Sequence, residues 1–231
     1  LPIFGSESIP APFKIGLSFA ITLLLYPILN LNEFPVQLSI IPLSLGMFSE
    51  IMLGVIIGLS VRMVFAGVQL AGQLVGFQMG LAMANVVDPT SSEEIPLLGE
   101  LNNMIAILIF LTINAHHWFL HALADSFRLV PPFAFQFSNS LMEQLIALGG
   151  DMFVIAIKVG APVMAALFLL SVSFGVAART VPQMNIFFVA MPIQILVGLL
   201  FMSFSLPYLL TFMKTVFTGL ETTILYLLKA M

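Results

Sequence analysis

His117, His121 and Asp125 recur at every fourth position, so a helix through them puts all three side chains on one face. Two histidines at that spacing can share a metal ion. A zinc-peptidase helix also needs a glutamate between them, and His117-Trp118-Phe119-Leu120-His121 has none. Beside Asn114 and Trp118 the same residues suit a membrane–water boundary equally well, so no metal is expected. Glu93-Glu94 reads as a solvated loop pair rather than an acid/base pair. No Ser-His-Asp spacing or phosphate-cradling glycine loop stands out. The chain has no cysteine, which excludes disulfides, thiol nucleophiles and thiolate metal sites. These residues point away from an enzyme and from any cofactor.

The charges most deeply embedded in apolar sequence are Arg62, Asp151, Lys158 and Arg179. Ionisable groups within membrane helices ordinarily face protein or water and mark pathways or pairs. A secondary transporter for a small solute would use such residues at a midplane site, although no internal repeat of the kind such folds carry is visible. The other reading places them near helix ends or outside lipid. Asp151 and Lys158 are seven residues apart, two turns along one face and too far to pair directly.

Positioning any of these residues falls to a very apolar chain. Hydrophobic residues make up 60% of the 231 positions and charged residues 8%, with a mean hydropathy of +1.13. Soluble domains carry about a quarter charged residues, because something must face water. This composition therefore describes an integral membrane protein. Its net charge of −4 comes from acids and bases scattered singly, with no basic run for nucleic acid.

Apolar stretches of about 20 residues span a bilayer as helices. The spacing predicts a helix over 13–31, then a very long apolar stretch over 43–87. That stretch reads as two helices, or as one bent into a hairpin near Arg62 to Gln69. Helices over 101–129, 141–180 and 186–211 follow, with kinks expected at Gly149-Gly150 and Pro162, and 212–231 is a mildly amphipathic remainder. The fold class is all-α: a multi-helix membrane protein of long, kinked helical hairpins without a sheet, forming a single helical domain over 1–231. The opening Leu1-Pro2-Ile3-Phe4-Gly5 reads as a loop, and one further N-terminal helix is expected before it. The segment 84–100 is the most polar of the chain. It holds Asn85, Val86, Val87, Asp88, Pro89, Thr90, Ser91, Ser92, Glu93 and Glu94, whose Asp-Pro-Thr-Ser-Ser run is turn chemistry.

Gly72, Gly76 and Gly80 lie on one helix face, and Gly54 and Gly58 repeat the device earlier. In lipid, helix association depends on close packing, which small residues permit. Such a face serves either helices of the same chain or neighbouring subunits. Gln69 and Gln73 share a face nearby, and amides in a bilayer interior call for hydrogen-bond partners or water.

Three stretches resemble the FliR family, the flagellar export-gate proteins that also occur in virulence type III secretion systems. They are Gly72-Gln73-Leu74-Val75-Gly76-Phe77-Gln78-Met79-Gly80-Leu81 leading to Val87-Asp88-Pro89; Phe110-Leu111-Thr112-Ile113-Asn114-Ala115-His116-His117-Trp118; and Ala178-Arg179-Thr180-Val181-Pro182-Gln183-Met184-Asn185-Ile186-Phe187. His117 and His121 are not part of the family pattern. The resemblance implies a gate in the bacterial inner membrane and flagellar basal body, built with FliP-like and FliQ-like subunits and served by FlhB- and FlhA-like export components. Unfolded secreted polypeptides would pass through it. It also implies that 85–94 plug the closed pore. Gly72, Gln73, Gly76, Gly80, Arg179, Pro182, Gln183, Met184 and Asn185 are then expected to pack against other subunits.

Overall fold

The computed structural model describes residues 9–27, 39–81, 97–180, 183 and 185–231. Within them the fold is all-α, without a strand among the described residues. The helices are α1 (Ala11–Leu25), α2 (Ile40–Gln78), α3 (Leu97–Thr112), α4 (Ala115–Leu129), α5 (Asn139–Thr180) and α6 (Ile186–Ala230).

Three expectations about helix ends need correction. The break near Arg62 to Gln69 is absent, and α2 runs on for 39 residues. No proline lies between Leu43 and Gln78, so nothing removes a donor from its hydrogen-bond ladder. The helix expected over 101–129 is instead two helices, α3 and α4, bent by 71° at Ile113-Asn114. Asn114 adopts the left-handed conformation (φ 56°, ψ 30°), which asparagine tolerates better than most residues. Its N–H donates to the Leu111 carbonyl at 3.0 Å, and its own carbonyl accepts from His117 at 2.9 Å. Finally, 212–231 is no separate remainder, because α6 continues through Pro192 and Pro207 for 45 residues.

The long helices α2, α5 and α6 have 39, 42 and 45 residues, and each is apolar enough to cross a membrane. At about 1.5 Å per residue they run roughly 58, 63 and 68 Å, about twice the ~30 Å hydrocarbon core. By contrast α1 is short, apolar and without a buried residue.

The chain divides into two compact units. The first comprises Leu1–Met63, Phe110–Gly149 and Val216–Met231; the second comprises Val64–Ile109 and Gly150–Thr215. In the first unit, Ile56, Leu141, Leu148 and Leu227 form a core bordered by Phe135 and Leu145. Phe110 and Phe217, both fully buried, meet edge-on with ring centroids 5.3 Å apart, a geometry aromatic quadrupoles favour. Ser138 caps α5 by accepting the Leu141 N–H at 3.0 Å, and its hydroxyl donates to the Ala230 carbonyl at 2.6 Å. In the second unit the core is Val75, Met79, Leu98, Val163 and Leu167, with Leu81, Met164, Ile195 and Met202 against it. The buried serines Ser49, Ser60 and Ser126 each donate to the carbonyl three residues back, at 2.7, 2.7 and 2.8 Å, so none carries an unmet donor.

Candidate functional site

The end of α2 and the start of α3 flank the polar segment that the sequence singles out, and both are anchored in the second unit. Gly72 meets backbone atoms of α3 directly. A Cβ at Gly72 would lie 2.6 Å from the Leu98 carbonyl carbon and 2.7 Å from the Gly99 Cα. Gly99 returns the relationship: its missing Cβ faces the Gln69 carbonyl at 3.1 Å and the Gln73 Cγ at 3.2 Å. The two helices therefore touch backbone to backbone. One turn on, Gly76 faces only Leu98 Cδ1 at an ordinary 3.8 Å.

Helix α2 ends in a Schellman motif. The Gly80 N–H donates to the Phe77 carbonyl at 3.0 Å, and the Leu81 N–H reaches the Gly76 carbonyl at 3.1 Å. Gly80 has φ +79°, the left-handed conformation that glycine adopts without a Cβ penalty. Leu81 then turns into the core that also holds Val75, Met79 and Leu98. Leu81 and Leu98, on either side of 82–96, thus share one hydrophobic cluster. Residues 85–94, which the sequence reading expects to form a plug, lie outside the described residues, as do Pro182 and Met184.

Other helices brace this anchor through further glycines. A Cβ at Gly67 would lie 2.7 Å from the Met152 carbonyl of α5, and one at Gly198 would lie 2.8 Å from Cγ of Met79. Met79 is fully buried, so α6 closes over the last turn of α2 through Gly198. The sequence shows the 72–76–80 row because its spacing is local. Gly67, Gly99 and Gly198 carry no such periodic signal, since their partners are far along the chain. Gly54 and Gly58, in the first unit, face open space.

Arg179, Gln183 and Asn185 are exposed near the α5–α6 junction, and the Asn185 carbonyl accepts the Phe188 N–H at 3.2 Å as α6 begins. Arg62, Asp151 and Lys158 are also exposed, and the Lys158 ammonium sits 5.8 Å above the Phe212 ring. The four embedded charges therefore lie on outer helix faces. On α4, Asp125 lies 3.7 Å from Arg128, and no group of three potential metal ligands forms among the described residues. His116 Nδ1 is buried without a hydrogen-bond partner at the α3–α4 bend.

Two of the cavities lined by described residues show how little space the packing leaves there. One, among Val75, Asn102, Val159, Met202 and Ser205, holds about 20 Å³, and the other, beside Trp118 and Phe217, about 10 Å³. A single water needs about 10–15 Å³ by the same measure, so neither has room for a solute. Among the described residues, the arrangement is that of a packed helical scaffold.

The chain matches the family described as bacterial export proteins, family 1, over residues 1–220. It is 34% identical over 227 residues to the flagellar biosynthetic protein FliR of Bacillus subtilis (strain 168), covering 94% of this chain and 85% of that protein. It is 35% identical over 217 residues to the protein of the same name from Pectobacterium carotovorum subsp. carotovorum, and 32% over 217 residues to that of Escherichia coli (strain K12). In each of these two, 94% of this chain and 82% of the relative are covered.

Proposed function

We propose, because this chain belongs to the FliR family of bacterial export proteins, that it is a core subunit of the flagellar type III export gate. It assembles with FliP-like and FliQ-like subunits, docks FlhB- and FlhA-like components, and passes unfolded polypeptides without catalysis of its own. Its place is the bacterial inner membrane within the flagellar basal body. Helices about twice as long as a bilayer core is thick support an assembly that stands partly outside lipid.

The observation that carries the gating part is the shared anchor of the 82–96 segment, with Leu81 at one end and Leu98 at the other in a single core. A loop fixed at both ends can be ordered when the pore is closed and displaced when it opens, without unravelling the helices that hold it. Residues 85–94 act as the plug in this reading. Gln183 and Asn185, together with Arg179, Pro182 and Met184, meet neighbouring subunits. Gly72 and Gly80 contribute by holding α2 and α3 in place, Gln73 packs against Gly99 within that crossing, and Gly76 stands half-buried beside it.

Deletion of Val87 to Glu94 tests this. The complex lacking these residues is expected to leak ions or small solutes while export is idle, read as loss of membrane potential. A tight membrane in that variant places the seal elsewhere and removes the plug from the account.

A further inference from the structure

The connector between α4 and α5 carries the one strained aromatic among the described residues. Pro131 to Ala134 form a turn closed by the Ala134 N–H donating to the Pro131 carbonyl at 3.0 Å. Pro132 takes the second place, and Phe133 the third with φ +68°. A turn of that pattern ordinarily has glycine at the third place, because a side chain is strained there. Here the glycine sits across the contact. Phe133 lays its ring over Gly46 of α2, where a Cβ would come within 2.7 Å of its Cγ. The Phe133 N–H, which a turn leaves without a partner, donates to the Glu50 carboxylate at 3.0 Å, one turn further along α2.

The same connector holds the far end of the chain. The Gln136 N–H donates to the Met231 carbonyl at 3.1 Å, and Ser138 donates to the Ala230 carbonyl while capping α5. Eight residues thus clasp α2, α5 and α6 within the first unit. The clasp on α2 is weakly protected: Phe133 is 41% exposed and its bond to Glu50 faces solvent. Backbone strain of this kind persists only while its surroundings hold it, and switch regions are among the places where it collects.

We propose that residues 131–138 form a spring-loaded strap that clasps α2 through Phe133, Gly46 and Glu50 and lets go during export. Its release during export rests on the gate reading above. The closed state itself is a property of the chain. On opening, Phe133 leaves its left-handed conformation, and water replaces its N–H at Glu50.

The chain has no cysteine, so introduced thiols react alone. With a Cβ at Gly46 only 2.7 Å from Phe133 Cγ, the pair Gly46→Cys and Phe133→Cys brings two Cβ atoms within about 4 Å, inside disulfide range. In cells whose flagellar export depends on this chain, oxidation is expected to crosslink the pair. Export should then fall by about tenfold or more and recover on reduction, as locking a working opening requires. A crosslinked chain that exports at the reduced rate overturns the proposal, as does a pair that fails to crosslink in a folded complex. Should the double variant not assemble, Phe133→Cys alone decides. A water-soluble maleimide should label it roughly tenfold faster during export than at rest, and equal rates overturn the strap. If cells with the unmodified chain export nothing, the gate reading fails instead, and the same assay separates the two.

Discussion

Gly72 and Gly99 face one another at the crossing of α2 and α3, so close that a Cβ on Gly72 would stand 2.7 Å from the Gly99 Cα. This contact fixes where the polar segment leaves one helix and re-enters the next. Its atoms are backbone, which cannot turn aside as a side-chain tip can.

Gly72→Ala is therefore expected to destabilise the protein by about 1–3 kcal/mol, the usual cost of overpacking a close contact. Gly76→Ala should be neutral or slightly stabilising, because its Cβ would meet Leu98 at an ordinary distance while alanine favours the helix by about 0.5–1 kcal/mol. Thermal unfolding of the two variants in detergent compares them directly. Equal midpoints would show that the crossing is looser than described.

Gly80 offers a test of backbone conformation rather than space. Its missing Cβ faces Met191 at 3.5 Å, which is ordinary contact, but φ is +79°. Gly80→Val should cost more than Gly80→Asn, since asparagine enters the left-handed region and a β-branched residue does not. The expected cost for valine is about 1–2 kcal/mol. Identical unfolding of the two variants would remove the Schellman end from the explanation.

Asp151→Asn and Lys158→Gln should leave stability within about 0.5 kcal/mol, as exposed substitutions usually do. Export should be retained as well, which complementation of motility measures. Loss of export with normal protein levels would revive the transporter reading, in which these charges line a midplane site.

Much of this organisation was legible in the residues. Composition alone dictates apolar helices, but the unbroken course of α2 was missed: the length of the run suggested a break near Arg62 to Gln69, although no proline lies from Leu43 to Gln78. The end of α2 before Gly80 was not read either, because the apolar run continues to Val87 and Gly80 falls in step with Gly72 and Gly76 as a packing row. The bend at Asn114 was harder, because asparagine in an apolar run is compatible with a continuing helix, and only the backbone reveals its left-handed turn. The meetings of Gly72 with Gly99, and of Gly46 with Phe133, are non-local. Their signal is the lack of a side chain at one place and a partner tens of residues away, which no periodicity encodes. The continuation of α6 past Thr211 was missed for another reason: Lys214, Glu221 and Lys229 make 212–231 more polar than the run before it, and nothing in that change of character marks whether the backbone breaks.

In the proposed function this chain acts as one part of a mixed gate. Native mass spectrometry of the detergent-solubilised chain, co-expressed with candidate FliP-like and FliQ-like partners, tests it most directly. A discrete mixed complex containing one copy of this chain is expected. A lone monomer or homodimer, with the partners expressed and folded, would contradict it.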